Sequence, residues 1–216
     1  YSLFVIINNS CNFKSKKMKI SRFLAAILSI VITLTSSQFT SEAKRKKDDK
    51  AKYIFLFIGD GMGMGQVSLT ESYLSYKAGK LGGEQLSFTK FPYLALCNTY
   101  SANRKITCSA AGGTAIACGE KTNNEYIGVD PDGKPLESIA YVLHNQGYNV
   151  GIMTSVPVNH ATPAAFYGHN SSRYGYYEIS QEIVSSGFEF FGGSGFYNYK
   201  GRSNDKPAVD ICIEEN

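Results

Sequence analysis

YIFLFIGDG, residues 53–61, is a continuous apolar run that ends in an aspartate between two glycines. Because no polar residue interrupts the run, it predicts a strand over 52–58 that is buried on both faces, as strands of parallel sheets are. The glycines predict a tight turn that leaves the Asp60 carboxylate at the end of this strand. A turn aspartate usually bonds its own backbone, but such a carboxylate is also a ligand that hard divalent metals prefer.

Helical patterns and apolar runs alternate along the rest of the chain. The pattern predicts helices over 66–77, 109–119 and 135–147 and strands over 91–100, 149–156 and 188–191. A helix between two extended apolar runs is a crossover, so we expect an α/β fold with a mostly parallel sheet. Ligands of such sheets bind beyond the carboxyl ends of the strands, where Asp60 lies.

ITCSAAGGT, residues 106–114, places one hydroxyl, Ser109, at the start of a helix of small residues. Free N–H groups and the helix dipole would favour an anion there, and a phosphate could bind beside the serine. Two interpretations follow from this stretch. Ser109 is either a nucleophile or only the N-cap of a tightly packed helix.

The composition describes a chain that can bury a core, with 43% hydrophobic and 19% charged residues. The formal net charge of +4 is uneven, because the first 52 residues hold eleven Lys or Arg and three Asp or Glu. From Tyr53 onward, eleven basic residues face fifteen acidic ones, a net charge of −4. This balance predicts no nucleic-acid partner.

Residues 18–43 have the form of a secretory signal peptide, with Lys19 and Arg22 before an apolar run of twelve residues, 23–34. We expect cleavage after Ala43, an untranslated stretch 1–17 and a solvated basic linker over 44–52. The apolar run is too short for an ordinary spanning helix, so no membrane anchor is expected after cleavage. The protein would be periplasmic or secreted, and the pairing of its cysteines is left open.

Thr162 in NHATPAA and Arg173 in GHNSSRYG are two further candidates, although a helix cap and a surface charge are their ordinary explanations. Together with Asp60 and Ser109 they have a chemical logic. Phosphoryl transfer to serine needs a metal, a carboxylate to hold the metal and a planar cation to hold phosphate oxygens.

ITCSAAGGTAIACGEKTNN, residues 106–124, resembles the nucleophile segment of alkaline phosphatases. IGDGMG (58–63), NHATPAA (159–165) and the arginine eleven residues after Thr162 match that family's other N-terminal motifs, in order. The resemblance covers roughly 52–195, and four ordered motifs are far more specific than one. It implies an alkaline phosphatase-like three-layer α/β sandwich, with 53–216 the N-terminal portion of a single domain and the C-terminal part missing.

The resemblance also implies a role for each matched residue. Ser109 would be the nucleophile, transiently phosphorylated, and a ligand to one zinc. Asp60 would bridge that zinc and a magnesium, Thr162 would bind the magnesium, and Arg173 would clamp the phosphate. Two zinc ions and one magnesium would serve the hydrolysis of small phosphate monoesters. The family is commonly dimeric, so a homodimer is an expectation.

Two departures and one absence qualify the resemblance. Cys108 stands where the common pattern has an aspartate that helps to position the arginine, which would make Arg173 more mobile. His160 stands where many bacterial members have an aspartate close to the magnesium, as an outer neighbour of that metal. The family's remaining metal ligands lie downstream of these motifs, and the only histidines here are His144, His160 and His169. We therefore expect the chain alone to be an inactive fragment.

Two other functions stay open at this stage. A related sulfatase or phosphodiesterase would share the architecture, although sulfatases place proline and arginine shortly after the reactive residue and Ala110-Ala111-Gly112 has neither. A secreted module that binds metal without catalysis is the alternative from another class.

Overall fold

The structure is a computed structural model that describes residues 2–7, 51–202 and 205–214. The predicted signal peptide 18–43, most of the linker 44–52 and most of the stretch 1–17 lie outside the described residues, and all three stay predictions. In chain order the elements are β1 (Ser2–Ile7), β2 (Ile54–Gly59), α1 (Met64–Lys77), a 3-10 turn (Phe88–Lys90), α2 (Ser109–Cys118), α3 (Ile139–His144), β3 (Gly151–Thr154), α4 (Ala161–Ala164), α5 (Tyr176–Ser186), β4 (Phe190–Gly192) and α6 (Ala208–Glu214). Within the described ranges, no helix is both long and apolar enough to cross a membrane.

The strands form one sheet in the order β2-β1-β3-β4. β3 and β4 are parallel, and β1 pairs antiparallel with both β2 and β3. β2, β3 and β4 therefore run in one direction, with β1 opposed to them. The α/β class is confirmed.

β2 confirms the first predicted strand but corrects its burial. Phe55 and Phe57 are 59% and 63% exposed, whereas Ile54, Leu56 and Ile58 pack against the core. β2 lies at the edge of the sheet and its side chains alternate between two faces, of which the described residues cover only one. An uninterrupted apolar run does not show how many faces are covered.

The strand predicted over 91–100 is wrong. This segment forms no helix or strand, and Leu94 and Leu96 are 92% and 94% exposed. An aromatic and apolar composition favours a strand only when a second strand supplies hydrogen bonds and packing. Within the described ranges no strand pairs with this segment.

The third predicted helix is shorter than expected. Pro135 pairs with Val129 in an isolated bridge instead of opening a helix, and α3 begins after Ser138. The Ser138 hydroxyl accepts a hydrogen bond from the Tyr141 backbone N–H at 3.4 Å and donates one to the Phe166 carbonyl at 2.6 Å. A serine N-cap thus sets the start of the helix, and it also ties α3 to the segment after α4.

The core lies between the sheet and helices α2, α3, α4 and α5. Its largest fully buried side chains are aromatic and branched aliphatic, among them Tyr167, Phe166, Ile127, Ile152 and Ile179. The sequence pattern missed α4, α5 and α6. Residues 161–168 comprise α4 and the four residues after it, and all of them are buried. This segment therefore lies in the core and not at the surface.

Candidate active site

Ser109 is the first residue of α2, and Cys108 occupies the N-cap position. The Ser109 hydroxyl donates to Oδ1 of Asp60 at 3.2 Å, and the Cys108 side chain gives the helix no capping bond. The N-cap interpretation of Ser109 is therefore wrong. The hydroxyl is directed to a carboxylate 49 residues earlier in the chain.

Asp60 lies in the turn after β2 and joins two hydroxyl groups. Its Oδ1 accepts from Ser109, and its Oδ2 accepts from the Thr162 hydroxyl at 2.7 Å. Gly61 has φ +71°, a left-handed conformation that glycine adopts without strain. This turn brings the carboxylate to the carboxyl end of β2, as the sequence predicts.

Close packing of α4 against α2 brings Thr162 to this carboxylate. A Cβ atom added to Gly113 of α2 would lie 3.1 Å from the Ala165 Cβ and 3.4 Å from the Thr162 Cα. A side chain at position 113 would therefore require Ala165 to move by a few tenths of an ångström. Thr162 is 5% exposed, so its hydroxyl is buried and its bond to Asp60 satisfies it.

Arg173 lines the same cavity as Asp60, Ser109 and Thr162, and this cavity has a volume of about 820 Å³. This volume is large enough for a small ligand, since typical ligand sites occupy about 300–1,000 Å³. One carboxylate, two hydroxyls and one guanidinium therefore face a common space at the N-terminus of α2. The structure brings the four predicted residues together, and their chemical roles stay predictions.

His160 lies at the N-cap position of α4, next to this group. Burial lowers the pKa of its imidazole, the Arg173 charge lowers it further, and the Asp60 charge opposes both. The ring is thus close enough to both charged groups to sense them. Its predicted place beside a magnesium stays a prediction.

The other two histidines lie elsewhere. His144, the last residue of α3, faces Glu189 at 3.4 Å and the Phe188 ring. His169 bonds the Glu182 carboxylate at 2.9 Å. Neither lines the cavity of Asp60 and Ser109.

Asn124 and Lys121 are contacts of the site that sequence reasoning missed as individual residues. The Asn124 amide bonds the backbone on both sides of Thr107, two residues before Ser109. The Lys121 ammonium donates to the carbonyls of Asn98 and Tyr100, and both of these residues line the cavity. Both Asn124 and Lys121 belong to the stretch 106–124, which resembles the nucleophile segment of alkaline phosphatases. This resemblance is the one signal in the sequence that could have indicated them.

The donor set of the site suits a hard cation. Asp60, Thr162 and Ser109 offer oxygen atoms only, which magnesium prefers. Zinc sites commonly use three or four nitrogen, sulfur or carboxylate ligands. Among the described residues, no group of three or more His, Cys, Asp or Glu side chains could hold a metal. These residues therefore fit part of a magnesium site and a smaller part of a zinc site.

Residues 51–190 match the family model for alkaline phosphatase. This match spans more than half of the chain and contains all four residues of the cavity. The chain belongs to the alkaline phosphatase family. The family's fold accounts for the crossover pattern that the sequence predicts.

Individual alkaline phosphatases agree with this membership. Alkaline phosphatase 4 of Bacillus subtilis is 31% identical over 212 residues, which cover 90% of this chain and 44% of that protein. A variant of the alkaline phosphatase of the bacterium TAB5, solved with magnesium bound, is 30% identical with a TM-score of 0.58, over 73% of this chain and 43% of that one. Thermus thermophilus alkaline phosphatase gives 28% identity and a TM-score of 0.62, over 73% of this chain and 34% of that one. The chain thus spans less than half the length of these relatives.

Proposed function

We propose that the natural polypeptide carrying this chain is exported and hydrolyses small phosphate monoesters through a phosphoserine at Ser109. The observation that carries the proposal is the shared Asp60 carboxylate, which holds the hydroxyls of Ser109 and Thr162 in a cavity that Arg173 also lines. Membership of the alkaline phosphatase family supports the reaction class.

The reaction has two steps. The phosphoryl group first moves from the substrate to Ser109, and it then moves from Ser109 to water. The Ser109 oxygen forms a bond to phosphorus and its hydroxyl gives up one proton, while the bond from phosphorus to the ester oxygen breaks and the released alkoxide takes up one proton to become the alcohol. Because Asp60 engages the single hydroxyl hydrogen of Ser109, the lone pairs of that oxygen are available to the phosphorus. Water then cleaves the phosphoserine, which restores the hydroxyl and releases inorganic phosphate.

Charge in the cavity favours the phosphate group. Arg173 can offer two parallel N–H donors to phosphate oxygens, and the first N–H groups of α2 point to the same space. The oxygens of Asp60 and Thr162 would hold magnesium, and Asp60 with Ser109 would contribute to one of two zinc ions. When bound, these cations supply positive charge that lowers the pKa of the serine hydroxyl and stabilises the transferring phosphoryl group.

Replacement of the nucleophile tests this function. In the complete natural polypeptide with zinc and magnesium supplied, Ser109→Ala should abolish phosphoserine at this position and reduce aryl phosphate hydrolysis by a thousandfold or more, on the order seen when nucleophiles are removed elsewhere. The control is Ser185→Ala, since Ser185 is exposed on α5 and bonds only the Glu182 carbonyl. Acid-trapped phosphopeptides, identified by mass spectrometry, provide the readout.

Three results would contradict the proposal. Phosphoenzyme trapped at the normal level in Ser109→Ala would exclude this nucleophile. Faster turnover of an aryl sulfate than of an aryl phosphate would favour a sulfatase. Metal binding without turnover of either ester would favour a module that only binds metal. The 216-residue chain by itself should show little or no turnover, because the residues that the structure describes supply only part of a metal site.

A further inference from the structure

Asn124 holds the backbone that leads into the nucleophile. Its Oδ1 accepts from the Cys108 N–H at 3.2 Å, and its Nδ2 donates to the Ile106 carbonyl at 3.0 Å. One side chain therefore fixes both sides of Thr107. Because Ser109 follows Cys108 directly, these two bonds set the direction in which the chain enters α2.

The residue after Asn124 adds a third bond to the same turn. The Glu125 backbone N–H donates to the Cys108 sulfur at 3.0 Å. Glu125 has φ +75°, a conformation that residues other than glycine rarely adopt. A strained backbone of this kind persists only where the surrounding contacts hold it, and such residues cluster at functional sites. The structure thus gives Cys108 a role as an acceptor.

Asn124 is itself anchored on its far side. Its backbone N–H donates to the Asn103 side chain at 2.9 Å, and Asn103 also bonds the Ser101 hydroxyl. Four residues later, the Gly128 backbone N–H donates to the Thr114 hydroxyl of α2 at 2.9 Å. The segment 124–128 is therefore fastened to the helix that carries Ser109 at two separate points.

The same segment also holds the arginine loop. Ile127 and Asn170 exchange two backbone hydrogen bonds, each 2.8 Å long. The Asn170 side chain accepts from the Ser172 N–H at 2.9 Å, next to Arg173. One short segment thus connects the turn before the nucleophile with the loop that carries the phosphate clamp.

We propose that Asn124 is a positioning residue, which fixes the Ser109 oxygen relative to Asp60 and Arg173 for attack on phosphorus. This inference rests on the proposed function. In-line attack depends steeply on the distance and angle of the nucleophile, so loss of the amide should slow phosphorylation more than it weakens phosphate binding. A side chain that only stabilised the fold would change the number of active molecules, and not the rate of each one.

Pre-steady-state kinetics of the complete natural polypeptide, with substrate in excess and with zinc and magnesium supplied, test the inference. Asn124→Ala should lower the rate of Ser109 phosphorylation by about tenfold to a hundredfold. The burst amplitude, which counts active sites, and the inhibition constant of inorganic phosphate should change less than about twofold. Asn124→Asp keeps the acceptor for Cys108 but loses the donor to Ile106, so its rate should be intermediate.

Asn123→Ala is the matched control, because Asn123 is the neighbouring amide, similarly half-buried, and bonds the Pro131 carbonyl instead. It should retain the parent rate. The inference is overturned if Asn124→Ala matches this control, or if its loss lies entirely in the burst amplitude. Should Asn124→Ala fail to fold, an Asn124→Asp rate equal to that of the parent overturns it. Absence of phosphoserine in the parent protein would instead remove the proposed function, and this inference with it.

Discussion

The two walls of the cavity are held in different ways. On one wall, the hydroxyls of Ser109 and Thr162 both donate to the Asp60 carboxylate, and Thr162 is only 5% exposed. On the other wall, residues 97–101 follow a segment in which Leu94 and Leu96 are more than 90% exposed. The first wall comes from two helices that pack closely, and the second from a segment without ladder bonds. We call the first one the rigid wall, and three of the four predicted residues, Asp60, Ser109 and Thr162, lie on it.

The largest expected effect comes from separating the two helices of the rigid wall. Gly113→Val should lower the free energy of unfolding by about 1–3 kcal/mol, because the new side chain would enter space held by Ala165 and Thr162. It should also lengthen the contact from Thr162 to Asp60. Urea unfolding of the 216-residue chain measures the first effect.

Gly112→Val is the control for this change. A Cβ at Gly112 meets only Thr107, at 3.6 Å, which is an ordinary contact. Both changes replace glycine by valine within α2, so they share the same small gain in helix propensity, and only Gly113→Val meets the steric conflict. Equal losses at the two glycines would show that the close approach of α4 to Gly113 does not account for the effect.

The sequence predictions succeeded where the signal lies within a short stretch, and they failed where the structure depends on contacts that no short stretch contains. Asp60 and Ser109 could be placed from local signals, since a turn after an apolar run and a helix start are written in short stretches. The bond between them, across 49 residues, could not be seen in either stretch. Their common cavity could be predicted from two observations only. Ligands bind beyond the carboxyl ends of parallel strands, and four motifs match those of alkaline phosphatases in the same order.

The failures arose where contacts outside the predicted segment, or their absence, decide the structure. The apolar segment 91–100 has the composition of a strand, but no described strand pairs with it. Pro135 favours a helix start locally, yet the bridge to Val129 and the Ser138 cap delay the helix. Asn124 carries no local signal, because its function depends on a turn sixteen residues earlier.

A smaller effect is expected at the margin of the rigid wall, in the loop that carries Arg173. The Glu182 carboxylate accepts from the His169 ring and backbone, and the other ring nitrogen lies 3.1 Å from the Leu136 carbonyl. A protonated ring can donate at both nitrogens. The bond to Glu182 is the main cause that raises the pKa of His169, and burial opposes it.

The sign of the pH dependence follows from this raised pKa. The stabilisation is complete below the ordinary pKa of histidine and is lost as the pH rises through the raised value in the folded protein. Glu182→Gln should therefore lower the free energy of unfolding by about 0.5–1 kcal/mol more at about pH 5.5 than at about pH 9. Glu178→Gln, an exposed change on the same helix, should show no such difference. A loss independent of pH would mean that the pair acts only as a neutral hydrogen bond.

The smallest effect on stability is expected on the other wall, at Leu94 and Leu96. Because both side chains are almost fully exposed, they gain little from burial in this fold. The double change Leu94→Ser and Leu96→Ser should alter the free energy of unfolding of the 216-residue chain by less than about 0.5 kcal/mol. It should also reduce the binding of a hydrophobic dye, since contiguous exposed apolar surface attracts such ligands. A loss comparable to that of Gly113→Val would show that this segment is packed in solution, and the contrast between the two walls would then disappear.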